Sequence, residues 1–206
     1  MLNLAVSDRR SVISLDNQAF DNACAELMRI VARDRPPDLL IGIPTGGRVV
    51  AESMAKAAGG MPMLALTCRR PSTSLKPARS SVARKMIAGL PRPIVDRLRL
   101  VEHAMLNRAP ASLPTAPYQF DEEELAAIEA WMAAATGRSS ALIVDDAVDS
   151  GATLSQVIGA VRLLAPDHAD IRAAVITVTT ARPLVQPDYA LFRGQLCRFP
   201  WSLDAR

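Results

Sequence analysis

Aromatic residues make up only 4% of this 206-residue chain, which also holds just two histidines and three cysteines. So few rings exclude a nucleic-acid platform built on base stacking. Cys24, Cys68 and Cys197 stand far apart, which excludes a CxxC metal site and argues against a disulfide scaffold, and two histidines leave little for zinc. No apolar run reaches the ~20 residues that a membrane helix needs, and the opening MLNLAVSDRRS lacks the apolar stretch of a secretory signal. A cytoplasmic protein with no membrane partner is therefore expected. What the chain does have is apolar content: half its residues are apolar and 22% are charged, enough for one domain over residues 1–206 with its own core.

Charge is spread unevenly. The net charge is +3, yet residues 69–108 carry ten Lys or Arg against only Asp96 and Glu102, while residues 121–129 carry five acids and no base. The basic stretch reads as a device for anions, phosphate or a polynucleotide, or else as a solvated face and loop.

The pattern of apolar residues predicts alternating helices and strands. Residues 17–33 put Phe20, Cys24, Leu27, Ile30 and Val31 on one face after Asp16, an N-cap residue, and Pro36 and Pro37 end that helix. DLLIGI (38–43) and MPMLALT (61–67) read as buried parallel strands, with a helix over 48–58 between them. A loop follows over 68–80, then largely helical sequence over 81–106 interrupted near Pro91 and Pro93, and a proline-rich connector over 107–118. Asp121 and Glu124 make a capping box for a helix to about residue 135. ALIVD (141–145) and IRAAVITVTT (171–180) are further strands, separated by a helix over 153–164. Such alternation predicts an α/β fold, a parallel sheet flanked by helices. The core is expected over about 16–67 and 138–180, with a loop and helical insertion over about 68–136.

The strongest chemical signal is ALIVDDAVDSGAT (141–153): an apolar strand, two adjacent acids, two apolar residues, a third acid, and a small-residue turn into a helix. Strand ends in parallel sheets open onto ligand crevices, and a helix N-terminus among small residues suits a phosphate. Gly151 lets backbone approach an anion, while Ser150 and Thr153 add hydroxyl donors. Carboxylates beside a phosphate are repelled unless they bind hydroxyls or a cation, so Asp145 and Asp146 point to a sugar diol, Mg²⁺, or both.

This string resembles the PRPP-binding signature of the type I phosphoribosyltransferases, with Ala147 where a larger aliphatic residue is usual. The resemblance implies a Rossmann-like type I phosphoribosyltransferase fold with a small C-terminal hood over about 181–206. Asp145 and Asp146 would hold the ribose hydroxyls near Mg²⁺, mostly through PRPP and water. Residues Asp149, Ser150, Gly151, Ala152 and Thr153 would hold the 5-phosphate, and Asp149 would handle the acceptor's proton, its other reading being a helix cap. PTGGR, residues Thr45, Gly46, Gly47 and Arg48 after Pro44, stands where the family has its pyrophosphate loop, often with a strained peptide, expected here at Thr45–Gly46. On its own PTGG also reads as a plain strand-to-helix turn. TCRRPSTSLKPARSS (67–81) stands where the family has a flexible loop, making Arg69 and Arg70 pyrophosphate contacts and Lys76 and Arg79 mobile seconds.

The segment ARPLVQPDYALFRGQLCRFPWSLD (181–204) is similar to the tail of bacterial xanthine-guanine phosphoribosyltransferases. Where purine members place a base-reading lysine this chain has Val178, Thr179 and Thr180, and the stacking position falls at Leu196 or Cys197. Phe199 or Trp201 would stack an acceptor or serve as packing. The resemblance thus implies transfer of ribose 5-phosphate from PRPP, with Mg²⁺, to a nucleobase-like acceptor in nucleotide salvage, by a homodimer. The runner-up is a regulator of the same fold that senses PRPP or a nucleotide and binds nucleic acid through residues 69–108.

Overall fold

The computed structural model describes residues 12–69, 118–135 and 139–202. Five parallel strands form the central sheet in the order β3 (Met63–Ala65), β2 (Leu39–Gly42), β6 (Ser140–Val148), β7 (Asp170–Val178), β8 (Tyr189–Arg193). The period-2 alternation of a strand divides their side chains between two apolar layers. Leu40, Leu142, Val144, Ala174 and Ile176 face helices α1 (Asn17–Asp34) and α2 (Gly46–Ala57). Leu39, Ile41, Ile143, Ala173 and Val175 face α3 (Glu122–Ala134) and α4 (Ala152–Leu164). The result is the expected α/β architecture, with both faces of the parallel sheet covered. No helix among the described residues is long and apolar enough to cross a membrane.

Local signals place the helix starts. Asp16 caps α1 by accepting from the Ala19 N–H at 2.8 Å, and Asp121 caps α3 by accepting from the Glu123 and Glu124 N–H groups at 3.2 Å each. The other half of the expected capping box is not made. Glu124 accepts instead from the Thr67 N–H, because the Asp121 N–H is already bonded to the Thr67 carbonyl.

Two boundaries differ from the sequence expectation. Helix α3 fell within the expected insertion over 68–136, but its Ile128 and Met132 are buried in the same layer as Leu39 and Ile41, so it belongs to the core. The insertion proper starts from a two-residue antiparallel ribbon, β4 (Cys68–Arg69) with β5 (Gln119–Phe120), which holds its two ends side by side. Nor does the core end at residue 180: β8 pairs with β7 in parallel and completes the sheet. What stands apart from the main sheet is the parallel pair of β1 (Val12–Ser14) and β9 (Leu196–Arg198), joining the two ends of the described chain. The expected helical stretch over 81–106 lies outside the described residues.

Candidate active site

The C-terminal ends of β2 and β6 lie side by side, with Ile41 opposite Ile143 and Gly42 opposite Val144. The chain leaving β2 therefore turns directly over the chain leaving β6, and that turn is Pro44–Gly47. Its approach is close enough to forbid any side chain. A Cβ on Gly46 would fall 2.1 Å from Asp146 Oδ2, and one on Gly47 would fall 2.4 Å from the Val144 carbonyl and 2.7 Å from Asp145 Cα. The glycines of PTGGR are thus required by contact with the acidic pair, about a hundred residues away in sequence. The turn contains a non-proline cis peptide, at Pro44–Thr45 and not at Thr45–Gly46 as expected. Thr45 already has right-handed helical angles and caps α2, so its bond to Gly46 belongs to the start of the helix.

Asp145 and Asp146 occupy the end of β6, where the strand emerges from the core. Asp145 Oδ1 accepts from the Asp146 N–H at 2.9 Å, and Asp146 Oδ1 accepts from the Ala147 N–H at 3.0 Å. Burial is the main cause that pushes the Asp145 carboxyl well above its ordinary range, and the adjacent charge of Asp146 adds to it. Burial also raises Asp146, partly offset by its hydrogen bonds. A half-buried carboxylate pair in this condition favours whatever neutralises it: a proton, a cation or hydroxyl donors.

After β6 the chain passes Asp149 and Ser150 to Gly151, whose φ of +76° is open to glycine and strained for other residues. Gly151 is the N-cap of α4, so Asp149 is not the cap that its second reading made it. Its carboxylate instead accepts from the hydroxyl of Thr179, the residue just beyond β7. Residues Asp145, Asp149, Ser150, Gly151, Thr153 and Leu154 border a cavity of about 80 Å³. The segment after β7 packs against Gly151, with the Leu184 N–H donating to the Ser150 carbonyl at 2.8 Å. No side chain hydrogen-bonds at the Thr45 or Gly151 caps of α2 and α4, whereas aspartates cap α1 and α3. Both helices start at the site with the positive ends of their dipoles toward it, although in their first turns the Ala152 N–H donates to Ser150 Oγ at 3.3 Å and the Arg48 N–H to the Ile43 carbonyl at 3.1 Å.

The structure thus brings together Thr45, Gly46, Gly47, Asp145 and Asp146, and beside them Asp149, Ser150, Gly151, Ala152 and Thr153. Other expected members are placed differently. Arg48 lies on the exposed side of α2, ion-paired at 2.9 Å with Glu52 one turn on. Arg69 is exposed on β4, and Arg70, Lys76 and Arg79 lie outside the described residues. Phe199 is a correction: its ring is 5% exposed, stacked on Trp201 at 5.0 Å and edge-on to Phe20 at 6.5 Å, so it packs the β1–β9 pair onto α1 and leaves no face for a ligand. Trp201 completes that trio 5.1 Å from Phe20 and is half-exposed. Thr179, singled out only as standing where purine members have a lysine, is not expected as the partner of Asp149, nor is the Leu184 backbone expected at the turn. A run of threonines at the end of an otherwise apolar strand, beside the acidic turn, was the available signal.

Two carboxylates with no third metal ligand beside them suit Mg²⁺ held mainly by a substrate's own oxygens, since no cluster of three or more ligating side chains occurs among the described residues.

Residues 14–202 match the family model described as the phosphoribosyl transferase domain. The chain belongs to this family. Its fold is similar to that of the purine phosphoribosyltransferase of Pyrococcus horikoshii Ot3, at 19% identity over 93% of this chain and 94% of that one, with a TM-score of 0.57. It is also similar to the Helicobacter pylori xanthine-guanine-hypoxanthine phosphoribosyltransferase, at 13% identity over 94% and 95% of the two chains (TM-score 0.60). A hypothetical protein from Neisseria gonorrhoeae with bound ppGpp gives 13% identity over 95% and 91% (TM-score 0.58). At such identities the likeness is one of fold. Comparison with curated protein sequences gave no match. In this phosphoribosyl transferase domain, the turn over the acidic pair and the small-residue start of α4 stand at the carboxyl ends of adjacent parallel strands, where ligands of open α/β sheets bind.

Proposed function

We propose that this phosphoribosyl transferase domain is a phosphoribosyltransferase that takes PRPP with Mg²⁺ and a nucleobase-like acceptor. The observation that carries the reading is the seating of Gly46 and Gly47 directly on Asp145 and Asp146, which sets one N–H-rich turn beside the acids while the α4 start lies on their other side. A molecule with a phosphate at each end and a diol between them fits that order of groups. The α4 start, Ser150–Thr153, would take the 5-phosphate; Asp145 and Asp146 would accept from the ribose 2- and 3-hydroxyls; the Thr45–Gly47 turn would face the pyrophosphate. Mg²⁺, when bound, would neutralise charge developing on the leaving pyrophosphate.

In the reaction, a ring nitrogen of the acceptor bonds to C1 of the ribose as the C1–O bond to pyrophosphate breaks, and the electron pair of that bond leaves with pyrophosphate. The proton of the nitrogen passes to Asp149, which is exposed and returns it to solvent. The protein's part is mostly positioning and charge.

Calorimetric titration of PRPP with Mg²⁺ into the wild type and an Asp145→Asn, Asp146→Asn double variant tests this. Micromolar binding by the wild type, lost in the variant, followed by pyrophosphate release with a base, is expected. No binding to wild type removes the reading. PRPP binding without turnover of any base would favour the sensor alternative, for which salt-sensitive RNA retention by the full chain is the check. Sedimentation velocity checks the homodimer that belongs to the same proposal.

A further inference from the structure

Resting on that reading, we propose that Thr179 is a positioning residue for Asp149, the group that takes the proton of the acceptor's ring nitrogen. Thr179 is 7% exposed, and its backbone is fixed by two neighbouring strands. Its N–H donates to the Val148 carbonyl at 2.9 Å, while the preceding Val178 carbonyl accepts from the Gly194 N–H at 2.7 Å. The β-branched side chain is then confined to few rotamers. Its hydroxyl lies 3.3 Å from the Val148 carbonyl and closer to Asp149 Oδ1, so its single proton goes to the carboxylate. With Oδ1 so engaged, Asp149 is held with Oδ2 turned outward as an acceptor, and a group that accepts can only be met by a donor. A ring N–H supplies that donor and is the proton released when the nitrogen bonds to C1.

The test compares Thr179→Val, which keeps the shape and loses the hydroxyl, with Thr179→Ser, which keeps the hydroxyl. For pyrophosphate release from PRPP, kcat of Thr179→Val should fall at least about tenfold, with the affinity for PRPP by calorimetry within about twofold of wild type, since no PRPP-facing group is changed. Thr179→Ser should return kcat to within about threefold, a rescue that a purely structural role for the valine-sized group would not give. An unchanged kcat in Thr179→Val, or failure of serine to rescue, overturns the positioning role while PRPP binding still upholds the reading beneath it. Wild type that binds no PRPP overturns the reading and this inference together.

Discussion

The two ends of the central sheet treat buried charge in opposite ways. At the amino ends of β6 and β7, Arg172 is 2% exposed and held by an ion pair and two hydrogen bonds, its Nε making no hydrogen bond. It lies 3.0 Å from Asp170 Oδ2, donates to Tyr189 Oη at 2.7 Å and to Ser140 Oγ at 2.8 Å, and Asp170 is shared with Arg35 at 3.0 Å. Tyr189 in turn donates to Asp34, so α1, β6, β7 and β8 are tied by one closed network. At the carboxyl ends, Asp145, Asp146 and Asp149 gather instead, accepting from two backbone N–H groups and the Thr179 hydroxyl. Charges that find their counter-charges inside the chain build the fold; charges of one sign left together await something from outside.

The sharpest way to break this contrast is to damage the ion-paired end. Asp170→Ala leaves Arg172 buried without its carboxylate and should lower stability by about 3–5 kcal/mol in urea unfolding, while PRPP affinity of the folded protein stays within a few-fold of wild type. At the other end the order reverses. The Asp145→Asn, Asp146→Asn variant should lose about 100-fold or more in PRPP affinity, about 2.7 kcal/mol, with an unfolding midpoint no lower than wild type.

Gly47→Ala tests whether the two elements must touch. Its Cβ meets backbone of β6, which cannot move aside as a flexible side chain would, so a stability loss of about 1–3 kcal/mol is expected together with weakened PRPP binding. A milder effect separates the ends by pH. Because the folded state raises the Asp145 carboxyl above its unfolded value of about 4, the proton binds the folded chain more tightly. That contribution to stability is complete in acid and is lost as pH rises through the raised folded value. Asp145→Asn should flatten this decline in denaturation curves measured at several pH values. The smallest effect concerns thiols: burial pushes Cys24 up to about 12 and Cys197 up to about 11, so both should resist alkylation of the folded protein at pH 8.

Legibility in the sequence followed the range of the interaction. The helix over 17–33 and the strands over 38–43 and 141–145 were readable because a hydrophobic period and an Asp cap act over a few residues. The tail was misread for the opposite reason. YALFR at 189–193 carries no strong alternation, and its place beside β7 comes from pairing with a strand already buried. For Phe199 the sequence leaves acceptor stacking and packing both open, and the choice of packing comes from Phe20, far away in sequence, which meets its ring edge-on.

The sequence by itself determined the elements, the acidic pair and the glycine-bearing turns, since each rests on local backbone preference, capping or periodicity. The tertiary structure alone decided that Gly46 and Gly47 press on Asp145 and Asp146, that Thr179 holds Asp149, and that Arg172 rather than any site residue is neutralised internally. Those pairings join residues that only parallel strand packing brings within a few ångströms, and nothing short-ranged in the chain records which distant partner a side chain will meet.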